Sequence, residues 1–210
     1  MAFILLILIY INFGGGDMPF VIGLVGKCGT GKSTFKNFLR EIAVSNGRSV
    51  GCIGFSDILM ETLRLWGIES TRENLQRLAV IMNNSYGDGI LSKAVFTRAS
   101  EDKSDIIILD SIRWKSDVEM LKLFPRNMLI YITADTKIRF ERMKDRKEKP
   151  GENEKTFKQF LKEEEAINET LISDIGAKAD IQFENISSSH DFEFDVIDFF
   201  YNYLVSLCSV

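Results

Sequence analysis

The chain has 210 residues, 45% of them hydrophobic and 27% charged. That is enough apolar material for one sizeable core with a small lid, and too little for a second full domain. Twenty-six basic residues against 30 acidic ones leave a net charge of -4 and a pI near 5.2, which excludes a protein devoted to non-specific binding of nucleic acid or another polyanion. Cys28, Cys52 and Cys208 stand far apart with no C-x-x-C spacing, and His190 is the only histidine. Neither a disulfide framework, a zinc site nor a Ser-His-Asp relay is indicated, and a reducing, cytoplasmic compartment fits best.

Residues Met1 to Phe13 are almost wholly apolar but fall short of the roughly 18 to 20 residues that a membrane-spanning helix needs. They also lack a basic n-region and a good cleavage site. Three readings stand: an extension ahead of a natural start at Met18, a membrane or partner anchor, and a packed strand or helix. The first is favoured, because a strand-loop-helix unit of the kind that follows usually starts a residue or two before its first strand. The domain then spans residues 18–210, and a membrane role depends on whether 1–17 are translated. Left exposed, the apolar run is prone to aggregate.

From Phe20 onward short apolar runs alternate with helical stretches, the signature of an α/β fold built around a parallel sheet. Strands are predicted at Phe20 to Val25, Ser49 to Gly54, Asp105 to Asp110, Met128 to Thr133 and Ile181 to Phe183. The runs VIGLV, IIIL and LIYI are apolar on both faces, as central strands covered by helices must be. Helices are predicted near Lys32 to Ser45, Asp57 to Trp66, Arg72 to Asn84, Ile90 to Ala99, Lys115 to Leu123, Thr136 to Arg146, Lys155 to Ile172 and Asp191 to Leu207. Ser70-Thr71-Arg72-Glu73 reads as a capping box. In the last helix Phe192, Phe194, Val196, Ile197, Phe199 and Phe200 are too dense for one narrow stripe, so it docks on the sheet and leaves aromatic surface for a dimer contact, with no oligomeric state implied.

Gly26-Lys27-Cys28-Gly29-Thr30-Gly31-Lys32-Ser33 matches G-x-x-x-x-G-K-[ST], directly after an apolar strand and directly before a helix. Glycines at those positions let backbone amides turn inward around a phosphate, and the helix adds its positive end. Lys32 then reaches the β and γ phosphates of a nucleotide, Ser33 ligates Mg2+ and Thr34 lends a second hydroxyl. Cys28 inside this loop reads as a small filler more readily than as a redox handle.

Ile106-Ile107-Ile108-Leu109-Asp110 ends an apolar strand in a carboxylate beside the phosphate loop, where Asp110 can support Mg2+. Ser111 follows it, so the glutamate with which mechanical and AAA-type ATPases activate water is missing. Arg113 lies close enough to the crevice to pair with a phosphate. Asp57, expected at the end of a strand next to the phosphate-loop strand, is a candidate base or orienter for an acceptor hydroxyl, and a helix cap by the blander reading. Arg64 and Arg72 are weaker candidates for an anionic acceptor. Lys137 to Lys149 carries seven basic and three acidic residues and precedes Pro150-Gly151. Arg139, Arg142 and Arg146 in it are expected on a lid, about 137–165, which brings guanidinium groups over a transferring phosphoryl.

Together the phosphate loop, the stretch from Phe55-Ser56-Asp57 to Leu75, Asp110 to Glu119 and Thr136-x-x-Arg139-Phe140-x-Arg142 resemble the nucleotide and nucleoside kinase branch of P-loop proteins. The likeness is greatest to the archaeal dephospho-coenzyme A kinase-like group, and Ala179-Asp180 with Asn185 echoes its adenine-bordering loop. The resemblance implies a five-stranded parallel sheet of adenylate-kinase type, Mg-ATP as donor, Asp57 as the acceptor-site acid, and Arg142 and Arg146 as lid arginines. Three departures stand out: Met60 where relatives often have arginine, Ile186 where they have glycine, and Glu163-Glu164-Glu165 in place of an Arg-Asp pair. The glutamates argue against a strongly anionic acceptor nearby. A phosphotransferase acting on dephospho-coenzyme A or a nucleoside monophosphate is therefore the expected activity. The alternative is a nucleotide-switched binding module that phosphorylates nothing.

Overall fold

The computed structural model describes residues 18–146, 156–165, 171–186 and 188–205, and the expectations for 1–17, for Pro150-Gly151 and for Cys208 lie outside them. Five parallel strands form one sheet: β1 (Phe20–Val25), β2 (Val50–Gly54), β3 (Ile106–Ile112), β4 (Asn127–Thr133) and β5 (Ile181–Glu184), in the order β2-β3-β1-β4-β5. Around it lie α1 (Lys32–Ser45), α2 (Phe55–Leu65), α3 (Arg72–Tyr86), α4 (Ile90–Glu101), α5 (Lys115–Leu121), α6 (Thr136–Arg146), α7 (Phe157–Glu163), α8 (Ile172–Gly176) and α9 (Ser189–Phe199), the last continuing as a π-helical segment over Phe200–Val205.

Every residue of β1 is buried, because both faces of the sheet are covered. Period-two alternation sends Phe20, Ile22 and Leu24 into one core with Phe35 and Leu39 of α1 and with Phe192, Val196 and Phe199 of α9. It sends Val21 and Val25 into another, with Val95 and Phe96 of α4, Met120 and Leu121 of α5 and Ile172 and Ile175 of α8. A satellite cluster of Leu59, Leu63, Leu75 and Leu78 joins α2 to α3.

Strand β3 runs two residues past its predicted end at Asp110, through an irregularity. Leu24 pairs with Asp110 but Val25 pairs with Ile112, so Ser111 is an extra residue, and its φ of 73° lies in the left-handed region. The bulge inverts the alternation, which lets Ile112 join Ile107 and Leu109 in the same core. Left-handed backbone costs a residue with a Cβ about 1 kcal/mol. Ser111→Gly is therefore expected to raise stability by about that amount, and Ser111→Val to lower it, as read from chemical denaturation midpoints.

Several boundaries differ from expectation. The phosphate-loop strand β1 has β3 and β4 as neighbours, so β2, which leads to Asp57, is an edge strand and not adjacent to it. Helix α2 begins at Phe55, before Asp57. The cap of α3 is Thr71, whose hydroxyl accepts from Asn74 N–H at 3.2 Å, and not the Ser70-Glu73 pair. Of the helix expected over 155–172, the described residues contain α7, capped by Thr156 and Gln159, while α8 begins only at Ile172 and runs beyond it.

Candidate active site

The loop between β1 and α1 turns through Gly29 and Gly31, at φ 80° and 101°. A Cβ on Gly31 would run into the Asn185 side-chain amide, and one on Gly29 into the backbone of Arg139, whose Cα would stand 2.9 Å away. Only glycine permits both the backbone conformation and the close approach. Buried Thr30 donates its hydroxyl to the Lys27 carbonyl at 3.0 Å. Lys32, the first residue of α1, folds its ammonium back onto the carbonyls of Gly26 (2.6 Å) and Lys27 (3.0 Å). Ser33 is exposed beside it and Thr34 half-buried. The result is a cationic group over a loop that ends at a positive helix terminus, a setting for polyphosphate.

Asp110 lies at the carboxyl end of β3, level with Leu24 of β1, where the sequence places it. Its carboxylate pairs with Lys36 and accepts the Ser111 hydroxyl at 3.0 Å. Burial alone would raise its pKa, but Lys36 and Lys32 outweigh burial and hold it below the ordinary carboxylate range. Burial likewise works to lower the Lys36 ammonium, and Asp110 keeps it raised. Asp110 is thus an ionised oxygen donor paired across to α1, the helix that also carries Ser33, and these two residues supply the oxygens that could hold Mg2+. Lys36 was missed in the sequence. Its signal was spacing, since a residue four after Lys32 lies on the same helix face.

Asp57 has two connections. One oxygen accepts the Gly54 N–H at 2.8 Å, closing the start of α2, and the residue also lines a cleft of about 630 Å³ with Met60, Glu61, Arg64, Gly67, Ile68, Glu69 and Ser70. Gly54 is the N-cap, so Asp57 closes the helix start from its third position and is not itself the N-cap. Arg98 grips Glu61 with two hydrogen bonds of 3.0 and 2.6 Å, and Arg72 pairs with Glu163 at 3.2 Å.

Arg113 follows β3, and its backbone N–H donates to Asp117 at 3.0 Å. Trp114 N–H and the Ser92 hydroxyl donate to the same buried carboxylate at 2.9 and 2.6 Å, while burial still raises its pKa. Asp117 is therefore the clamp that fixes the backbone carrying Arg113, and only its place three residues past Trp114, at the start of a helix, hinted at this.

Of the arginines expected on a lid, Arg139 and Arg142 are engaged in bonds within the protein. Arg139 is buried and donates to the carbonyls of Ala134 (3.2 Å) and Cys28 (3.4 Å), to Thr136 (3.0 Å) and to both oxygens of Glu164, with Phe160 stacked against it. Arg142 donates to the backbone and side-chain oxygens of Asn185 at 3.0 and 3.2 Å, and Asn185 in turn donates to the Thr30 carbonyl at 3.0 Å. The side chain of Arg146 lies outside the described residues. Glu164 also receives Lys27 of the phosphate loop at 3.2 Å. Burial opposes ionisation of Glu164, but Arg139 and Lys27 hold its pKa below the ordinary range. The acidic run thus ties α7 to the phosphate loop through Glu164 and to α3 through Glu163, a role that the sequence did not disclose. Beneath it, Lys27, Thr30, Tyr131, Thr133, Thr136, Arg139 and Ser173 line a small polar cavity of about 160 Å³.

A parallel sheet with helices on both faces, a glycine loop feeding a helix from the central strand, and a carboxylate on the neighbouring strand define a P-loop nucleotide-binding domain. Residues 22–169 match the AAA domain family AAA_18, and the chain belongs to that family. It is 29% identical over 178 residues to a UPF0200 protein of Hyperthermus butylicus, covering 85% of this chain and 91% of the relative. It is 26% identical over 173 residues to another UPF0200 protein, from Staphylothermus marinus, covering 80% and 85%. Among solved structures, shikimate kinase from Bacteroides thetaiotaomicron superposes with a TM-score of 0.56 at 14% identity, over 87% of this chain and 97% of that one. The APS kinase of Mycobacterium tuberculosis, in complex with AMPPNP and APS, superposes with a TM-score of 0.53 at 12% identity, over 89% and 99%. These two share the fold. No helix among the described residues is long and apolar enough to cross a membrane.

Proposed function

We propose that this protein is an ATP-dependent phosphotransferase acting on a small nucleotide-like acceptor, of the dephospho-coenzyme A or nucleoside monophosphate class. The observation that carries the reading is the cluster of Lys32 and Lys36 of α1 with ionised Asp110 at the end of β3, beside a strand-to-helix glycine loop. In this reading Gly26 to Thr34 hold the nucleotide, with Lys32 meeting the charge that develops on the transferring phosphoryl. Ser33 and Asp110 hold Mg2+, which when bound draws charge off the phosphates. Asn185, fixed by Arg142 and Thr30, borders the base. Asp57 and Arg113 orient the acceptor, and Arg146 supplies further cationic charge. Ser111 in place of glutamate supports transfer to an acceptor over hydrolysis by activated water.

A second reading is a nucleotide-switched binding module. It is supported by the engagement of Arg139 and Arg142 in structural bonds, which removes two of the expected charge clamps. ADP formation from Mg-ATP, alone and with dephospho-coenzyme A, AMP, CMP, dTMP and shikimate-like alcohols, separates the two. Acceptor-dependent turnover is expected, and ATP binding without it favours the module.

A further inference from the structure

Resting on the phosphotransferase reading, we infer that the cleft beside Asp57 takes an alcohol as the attacking group and not a phosphate. It is lined by the carboxylates of Asp57, Glu61 and Glu69 against one guanidinium, that of Arg64. The basic side chains that the structure pairs in this part of the molecule are turned to acids: Arg98 to Glu61, Arg72 to Glu163 and Lys36 to Asp110. A phosphate entering here would carry up to two negative charges towards Asp57 and Glu69 and find, within the lining of the cleft, the Arg64 guanidinium as the one basic group. A hydroxyl meets the same lining with opposite sign, because a carboxylate accepts the proton that a hydroxyl must give up.

Asp57 suits that task. One of its oxygens is fixed by the Gly54 N–H, which sets the plane of the carboxylate. The cleft it lines also includes Met60 and Ile68, both partly exposed, which offer an apolar wall to the body of the acceptor. The substrate class is therefore an alcohol with an apolar face, up to nucleoside size, with no phosphate inside the cleft and at most one acid group, placed to reach Arg64. A volume of about 630 Å³ accommodates a molecule of that size. In the step, the acceptor oxygen bonds to the γ-phosphorus of a nucleoside triphosphate while the bond from that phosphorus to the β,γ-bridging oxygen breaks. The hydroxyl proton passes to Asp57, the nucleoside diphosphate leaves with the bond's electron pair, and a phosphate monoester remains.

The test incubates the full chain with Mg-ATP labelled at the γ-phosphate and two sets of acceptors: alcohols (nucleosides, pantetheine, dephospho-coenzyme A, shikimate-like polyols) and monophosphates (AMP, CMP, dTMP). ATP binding is followed in parallel by calorimetry. Label is expected in an acid-stable, phosphatase-sensitive monoester from the alcohol set. Asp57→Asn is expected to lower its formation by about 10²-fold or more with ATP binding kept. Acid-labile anhydride product from the monophosphates overturns the inference and leaves the phosphotransferase reading standing. Bound ATP with label transferred to neither set overturns both.

Discussion

Lys32→Met is expected to lower acceptor-dependent turnover by about 10³-fold, the loss seen when one preorganised charge donor is taken from a developing negative charge. Methionine keeps the length of the stem and removes only the ammonium, which in this structure rests on the Gly26 and Lys27 carbonyls. The Lys27 carbonyl keeps the Thr30 hydroxyl as a donor at 3.0 Å, so the loss of the ammonium is a small structural change beside the kinetic one. The check is kcat and KM for ATP together with a thermal melt. A large fall in kcat with a melt within a few degrees of the parent fits the role, whereas an equal loss of folded protein would assign Lys32 to loop structure.

The second large effect concerns Glu164. Truncating it to alanine leaves the buried Arg139 guanidinium without its carboxylate and frees Lys27 from the lid side. Breaking a buried pair by removing one partner costs about 3 kcal/mol or more, and the expected result is a fall of that order in unfolding free energy. The pH dependence has a definite sign. Glu164 is held below its ordinary value of 4.5 in the folded chain, so its contribution is present above that value and lost as pH falls through the folded one. The parent is therefore expected to lose stability below about pH 4.5 more steeply than Glu164→Ala, as measured by melting temperature against pH.

Much of the fold was legible because local and global signals agree in it. The run Phe20 to Val25 is buried on both faces and so is apolar at every position, and the glycine pattern after it has one strand-to-helix context. The same holds for Asp110, whose position follows from four apolar residues ending at a carboxylate. What the sequence hid were pairings over long separations. Lys36 and Asp110 lie 74 positions apart, and Glu164 and Arg139 lie 25 apart, across residues with no common pattern. The bulge at Ser111 was hidden for another reason. The run Ile106 to Leu109 is apolar at every position and so carries no alternation whose phase could slip, and only the register against β1 reveals that one residue has been inserted. The engagement of Arg139 was hidden because a basic run looks the same whether its guanidiniums face a bound phosphate or a buried glutamate, and burial of Arg139 depends on where α7 comes to rest.

The absence of a side chain at Gly29 has a mechanical consequence. Its backbone touches that of Arg139 directly, the Arg139 guanidinium reaches the Cys28 carbonyl, and Arg142 reaches the phosphate loop through Asn185. The first two turns of α6 and the loop are therefore one rigid piece. A bend forced at the base of α6 would shear the phosphate loop along with it.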